Sequence, residues 1–580
     1  MMVRSLIICA LVLGMLNAQG ATPSLPGQYF RLLEAGADMV RQRLNAEPNA
    51  DLAALESRTD WRHFPYAILA PAVLYAKKHP QNPRYHNPEM LSLAARIGDL
   101  LAGENEKGKY EPRLDSDWDT YMWLEAYRLL ERDLGEERRV RWRREIEKNV
   151  VLLVDDTKER IDFPWYHSPF IGTSPNHYAQ WASILHFAGR VFQNKEWEAL
   201  GAQVLRRFAA VEQMPDGYWG EHNRSGPTTG YNHLTLTGLA LYYEYSRDPE
   251  VLPALRRATD FHEYFTYPDG TPVEVINDRN RYWGVSAWGQ FAFTNFADGR
   301  RYAEFLAGFF HPQKLSVDSV GRLAQDALYY HEGPLQAIPQ DQKNYFHQMS
   351  IPAGIRKTGP WVVCLSGLIS TQAVNNQFYL DRQGNLSVFH EKLGLIITGA
   401  NSKRQPELAT FSERLLGQTF FMPVTSRLQM SPERDRLSLA YNTFFTDLYV
   451  PSPSETELTF RFAITGKGTP SEDPKLTLQL CLKPGEDLET AAGGRVAIGP
   501  DRIEFAGSNL GGWIRHHGWT LTFEPSSRLI WPIFPHNPYA DGQEKRLEHA
   551  VAALSVPLRL KKGKFIRPGE QEIAFSLKTN

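Results

Sequence analysis

The sequence predicts a multidomain α+β protein, an N-terminal (α/α) incomplete toroid followed by a C-terminal antiparallel β-sandwich. Two observations carry this expectation. Up to residue 332 apolar residues recur at helical spacing, and from residue 333 the period falls to two. A third is the lack of helices alternating with apolar strands, which argues against a doubly wound parallel sheet. The expected divisions are 1–20 as a leader, 21–332 as the helical domain and 333–580 as the sandwich.

The elements follow in order. Arg4, an apolar run over 5–16 and the small residues of Ala18-Gln19-Gly20 before Ala21 read as a secretory signal, so the mature protein is expected in the periplasm or outside the cell. No later segment has the roughly eighteen consecutive apolar residues of a spanning helix. About ten to twelve helices are expected between Leu25 and Leu328. Their apolar faces include Trp118, Tyr121, Met122, Leu124, Ala126 and Leu129, then Ala179, Trp181, Ala182, Leu185 and Ala188, then Leu234, Leu236, Leu239, Leu241 and Tyr242. Short connections suggest antiparallel pairs, such as 197–211 after the helix starting near Asn176, and a toroid or a solenoid of hairpins would accommodate them. Alternation at Leu386-Val388-His390, Leu437-Leu439-Tyr441, Leu458-Phe460-Phe462, Leu476-Leu478-Leu480, Leu521-Phe523 and Ile573-Phe575-Leu577, broken by Pro, Gly, Asn and Asp, predicts the sandwich.

Composition narrows the function. A net charge of -2 over 580 residues is too neutral for electrostatic binding of nucleic acid, and 42% hydrophobic residues suffice for a large core. Once Cys9 leaves with the signal, Cys364 and Cys481 allow one disulfide or two free thiols. The aromatic residues Trp165, Trp219 and Trp283 stand near polar loops and could stack on sugar rings or serve as core.

Three polar clusters, about fifty residues apart, carry the candidate chemistry. Ser174-Pro175-Asn176-His177 opens a helix; there Ser174 or Asn176 could cap it, or the Asn176 amide could hydrogen-bond a substrate carboxylate. His177 could assist or be a satisfied core histidine. In the second cluster, the run from Asp216 to His222 is followed by Tyr231 nine residues after His222, with Gly226, Pro227 and Gly230 turning the chain between them ahead of a helix expected near Leu234. A tyrosine titrates near about 10, so it acts as a base only where cations or donors favour the phenolate. Arg279 and Arg281, in the third cluster, could pair bidentately with a carboxylate, or with Asp278 or Glu274.

The order Asn176, His222, Tyr231, Arg279 resembles that of the polysaccharide lyases acting on hyaluronan, chondroitin or xanthan. Asn176-His177 followed some fifty-five residues later by Tyr231 is similar to the oligoalginate lyases and heparinase II/III-like enzymes. Both groups join a helical toroid to antiparallel β-domains. The resemblance implies an enzyme that cleaves a uronic-acid-containing polysaccharide by β-elimination. It implies that Asn176, helped by a histidine or arginine, neutralises the carboxylate, that Tyr231 is base and acid, that His222 assists or shares the proton transfer and that Arg279 is catalytic; His177, Arg281, Trp165, Trp219 and Trp283 are the candidate substrate-binding residues. His177 stands where the hyaluronan-type pattern has tryptophan.

Two other classes remain open on sequence. A glycoside hydrolase would need two carboxylic acids roughly 5 to 9.5 Å apart, and Asp117, Asp119, Asp216, Glu221 and Asp278 could supply them. An exported glycan-binding protein would need only the aromatics. No spacing matches a closed zinc site, and His390, His516 and His517 read as ordinary strand histidines, so neither metal nor other cofactor is expected.

Overall fold

A computed structural model describes residues 24–108, 117–162, 175–220, 226–277, 284–369, 384–399, 405, 408–415, 417–467, 475–537, 546–559 and 565–579. Thirteen α-helices among them precede two antiparallel sheets, and this is the expected order of a helical region and a β-sandwich. Internal contacts divide the chain into two compact units: the chain through Leu152 with Ala287–Leu335, and Leu153–Ser286 with Gln336–Asn580.

In the first unit, helix Leu25–Ala46 buries Tyr29, Phe30, Leu33, Ala37 and Val40 at helical spacing. Several polar groups inside this unit are partnered. The Tyr29 hydroxyl donates to Gln290 Oε1 at 2.9 Å, and Asp326 accepts the Phe291 N–H at 2.9 Å. Asp99 accepts from the Trp142 indole at 3.0 Å and from Arg138.

The second unit contains the helices that carry the candidate site. Pro175–Phe192 and Lys195–Arg207 form a hairpin. Its turn ends at Asn194, whose Oδ1 caps the second helix by accepting from Glu196 and Trp197 N–H. Helix Thr229–Ser246 packs on Pro175–Phe192 so closely that a Cβ at Gly238 would lie 2.7 Å from the Ala179 carbonyl oxygen. Further along the same pair, His186 meets Tyr242 at 4.7 Å between ring centroids and Phe187 meets Tyr245 at 4.6 Å. The contacts advance together along both helices, so the two run parallel and their N-termini lie at one end.

The sheets belong to this unit as well. The eleven-stranded sheet runs Asn344–Gln348, Ala353–Thr358, Trp361–Ser366, Leu386–His390, Gly394–Thr398, Lys475–Leu480, Val551–Pro557, Arg528–Ile533, Ile503–Ala506, with Phe411–Leu415 and Gln418–Phe420 branching from Lys475–Leu480. The nine-stranded sheet runs Arg495–Ala497, Asp487–Thr490, Trp513–His516, Trp519–Thr522, Phe565–Thr579, Glu457–Lys467, Phe444–Pro451, Arg434–Ala440, Thr425–Met430. One apolar core joins their facing sides, including Val363, Val388, Leu437, Leu448, Phe462, Leu478 and Phe575. Strands Trp361–Ser366 and Leu386–His390 are buried on both faces. Their other side meets Tyr218, Phe261, Phe265, Tyr267, Val273 and Val275 in a second core.

Within that second core lies a buried polar cluster. Glu274 Oε1 accepts from the Thr398 hydroxyl and the Gly399 N–H, each at 3.1 Å, and Oε2 accepts from the Tyr267 hydroxyl at 2.9 Å. Tyr267 also meets Ser387 Oγ at 2.7 Å. Gly399 must be glycine for this contact, since a Cβ there would fall 2.4 Å from Val275 Cγ2.

The remaining histidine and cysteine expectations resolve simply. His516 is buried, its Nε2 accepting the Lys483 N–H at 2.8 Å and its Nδ1 facing the Asp487 carbonyl at 3.0 Å. His390 is buried edge-on to Trp361, and its Nδ1 accepts the Lys392 N–H. Cys364 and Cys481 are not joined in a disulfide. No helix among the described residues is long and apolar enough to cross a membrane.

Two outcomes follow from this packing. Burial raises the Glu274 carboxyl above its ordinary value despite the donors around it. The folded protein therefore holds this proton more tightly than the unfolded chain does. The stability so gained is complete below the ordinary carboxyl value of about 4.3 and is lost as pH rises through the raised native value. In Glu274→Gln the amide stays neutral and Tyr267 can donate to Ser387 instead. Thermal unfolding followed from about pH 4 to pH 8 should show any deficit of the variant shrinking as pH rises, and a constant difference would contradict this. Gly238→Ala gains about 1 kcal/mol of helix propensity. Forcing a methyl against the Ala179 carbonyl costs about 1–3 kcal/mol, so the unfolding midpoint should fall; a rise would show that the helices can part without penalty.

Candidate functional site

The first turns of the parallel helices Pro175–Phe192 and Thr229–Ser246 bring three of the predicted residues, Asn176, His177 and Tyr231, to one end of the second unit. Asn176 is the second residue of its helix, one position inside the end rather than at the cap. Its side chain is 1% exposed and its Oδ1 has no hydrogen-bond partner among the described residues. An amide oxygen left this way costs about 1–3 kcal/mol, a cost that a bound donor would remove. His177 follows it, half-buried, with its ring 5.9 Å from Trp181.

Tyr231 is half-buried in the first turn of the second helix. The helix begins at Thr229, five residues before the expected Leu234, because Gly230 falls in the first turn, where the N–H groups have no intrahelical acceptor and glycine's interior penalty is reduced. The tyrosine thus stands on the helix rather than in the loop before it. Two helix N-termini, each with partial positive charge, are presented at the same end as Asn176 and Tyr231.

Beneath Tyr231 lies a network that reading the sequence did not single out. The Trp219 N–H donates to Asn232 Oδ1 at 3.0 Å. This fixes the amide orientation and leaves Asn232 Nδ2 to donate to His262 Nε2, also 3.0 Å away. Burial, and then the neighbouring His233, hold His262 well below the ordinary histidine value, so it is neutral and accepts at Nε2. His233 lies against it, with ring centroids 3.8 Å apart. Asn232 thereby fastens the start of the Tyr231 helix both to the chain at Trp219 and to helix Leu252–Tyr264. The signal was present in Tyr231-Asn232-His233, but a polar residue inside an apolar helix shows its partner only in three dimensions.

Trp219 is placed differently from the sugar platform the sequence suggested. It is 1% exposed, and its indole N–H donates to the Phe208 carbonyl at 2.9 Å. Its ring belongs to the core, because the turn over Met214–Tyr218 folds it inward. Asp216, considered as a hydrolase acid, accepts the Ser350 N–H at 2.7 Å and the Ser350 hydroxyl at 2.5 Å. Asp119 is buried in the first unit, 3.6 Å from His63. His222, Arg279, Arg281, Trp165 and Trp283 lie outside the described residues, as do Glu221 and Asp278.

Neither a protein-family model nor a curated protein sequence matches this chain. Solved structures do. A heparinase III aligns over 89% of this chain and 77% of its own, at 11% identity and a TM-score of 0.51. A mutant of the chondroitin AC lyase of Streptomyces coelicolor A3 aligns over 97% of this chain and 80% of its own, at 12% identity and a TM-score of 0.51. Helices first and an antiparallel sandwich after them, with this likeness over most of the chain, give it the polysaccharide-lyase fold.

Proposed function

We propose that this chain is a polysaccharide lyase that cleaves a uronic-acid-containing polysaccharide by β-elimination, leaving an unsaturated end. The observation that carries the reading is the parallel helix pair, which presents the buried Asn176 and the half-buried Tyr231 from first turns at the same end. The fold supports it. An exported location, expected from the leader, would give such an enzyme access to its polymer.

The chemistry suits these residue types. The C5 proton of a uronate resists removal because the adjacent carboxylate is already anionic. Donors that become stronger partners as charge gathers there lower the barrier. The Asn176 amide and the two helix N-termini are such donors, and Arg279 is assigned the same task from its place in the sequence. Tyr231 takes the proton and returns one to the O4 leaving group, general catalysis worth roughly 10² to 10⁴ in rate. His222 is assigned to favour the phenolate. Asn232 and neutral His262 hold the helix start from which Tyr231 acts.

A panel of alginate, glucuronan, hyaluronan, chondroitin, heparan and ulvan, followed by near-ultraviolet absorption, tests the reading. One polymer should yield unsaturated ends without consumption of water. Saturated ends would point to a hydrolase, and binding with no product to a glycan-binding protein. On the best substrate, Tyr231→Phe should abolish turnover while the unfolding midpoint and polymer affinity stay close to wild type; substantial residual turnover would remove Tyr231 as the acid and base. Asn176→Ala should lower kcat about 10²- to 10³-fold, as loss of one preorganised donor does, with a smaller change in KM. A variant that melts early yet is fully active per folded molecule would reduce Asn176 to a structural role.

A further inference from the structure

The outward face of the nine-stranded sheet carries a cationic, aromatic row that the catalytic reading does not use. Tyr449 pairs in register with Arg436 on one neighbouring strand and with Arg461 on the other. The Arg461 guanidinium lies 4.4 Å from the Tyr449 ring centroid, that of Arg434 5.5 Å and that of Arg436 5.6 Å. Arg427 stands on the next strand, exposed. The alternation of these strands sends Leu437, Leu448, Val450, Phe460 and Phe462 into the core and leaves this row outside.

Charge on this face is unbalanced. Asp447 pairs with Arg436 at 2.9 Å and 3.0 Å, and Glu572 pairs with Arg461. Arg434 and Arg427 have no carboxylate partner among the described residues, and the side chains of Arg436 and Arg461 remain 42% and 39% exposed. Beside the row runs a groove of about 540 Å³ lined by Pro451, Thr459, Arg461, Thr522, Ala574 and Ser576, with Glu524 also in its wall. Hydroxyls, an apolar floor and guanidinium groups thus occur along one strip. Arg436 and Arg461 straddle Tyr449 across two interstrand spacings, roughly 9–10 Å.

We propose that this face is a second, non-catalytic docking surface for an anionic polysaccharide chain. The guanidinium groups would take carboxylate or sulfate groups in bidentate fashion, the exposed part of the Tyr449 ring would meet a sugar face, and the hydroxyl-lined groove would hold neighbouring sugars. The choice of occupant rests on the lyase reading together with this charge complementarity. Such a surface would keep a long polymer on the enzyme between cleavages by raising its effective concentration.

The test reads binding rather than turnover, so it is separate from the lyase assignment. The full chain carrying Tyr231→Phe is passed over immobilised chondroitin sulfate and alginate, with neutral dextran as control. The parent should bind at least one anionic chain and not dextran. Arg434→Ser with Arg461→Ser should raise Kd at least tenfold, and Arg427→Glu, which breaks no ion pair, should raise it severalfold, with unfolding midpoints unchanged for Arg427→Glu. Three outcomes would overturn the proposal: no binding of either anionic chain by the parent, equal Kd for parent and both variants, or tighter retention of single-stranded DNA than of the polysaccharides. If the Tyr231→Phe chain binds as expected while the wild-type protein forms no unsaturated ends from any polymer of the panel, the surface stands and the lyase reading falls.

Discussion

The candidate site depends on the closeness of two parallel helices. Gly238 sits where a methyl group would strike the Ala179 carbonyl, and that contact sets how near Thr229–Ser246 can lie to Pro175–Phe192. Aromatic contacts further along keep the two in step. Because they run parallel, their first turns share an end, and Asn176, His177 and Tyr231 are presented together by rigid elements rather than by loops. Preorganisation of this kind is what donor-assisted catalysis requires, since the donors must already point where charge develops.

The second half of the helical region is built onto the sandwich by two different means. Apolar burial does most of it, with Phe261, Phe265, Tyr267 and Val275 against Ile355, Val362, Cys364 and Phe389. Buried polar groups then fix the arrangement. Glu274 is held by Tyr267, Thr398 and Gly399, and an acid buried so deeply is tolerable only with its oxygens satisfied. Asn232 and His262 do the same work one layer away, where a neutral histidine accepts what an amide donates. Each cluster joins segments far apart in sequence, so each specifies tertiary structure more than it adds stability.

The same sandwich is unequal on its two faces, and this connects architecture to the outward row. A sheet with one buried face can place any polar residue on the other without cost to the core. On the strands around Tyr449 that freedom is used for arginines, more of them than the local carboxylates neutralise. The protein's net charge of -2 hides this, because whole-chain charge says nothing about how it is divided over a surface.

Periodicity determined the fold class from sequence alone. The helices around Tyr121, Trp181 and Leu239 and the strands around Val388, Leu439 and Leu478 all formed, because each has an apolar stripe that must be buried and one period at which to bury it. The resemblance also drew attention to Asn176 and Tyr231. Sequence could not determine which side chains face inward at the site. Trp219 looked like a sugar platform and is core, Asp216 looked like an acid and is held by Ser350, and Asn232 and His262 drew no attention although they fasten the Tyr231 helix. The physical reason is that apolar burial is repetitive and local, legible in a window of a dozen residues, whereas hydrogen-bond partners sit at no fixed spacing, 30 residues apart for Asn232 and His262 and 134 apart for Asp216 and Ser350. Only the packing of one helix on another decides which positions those are.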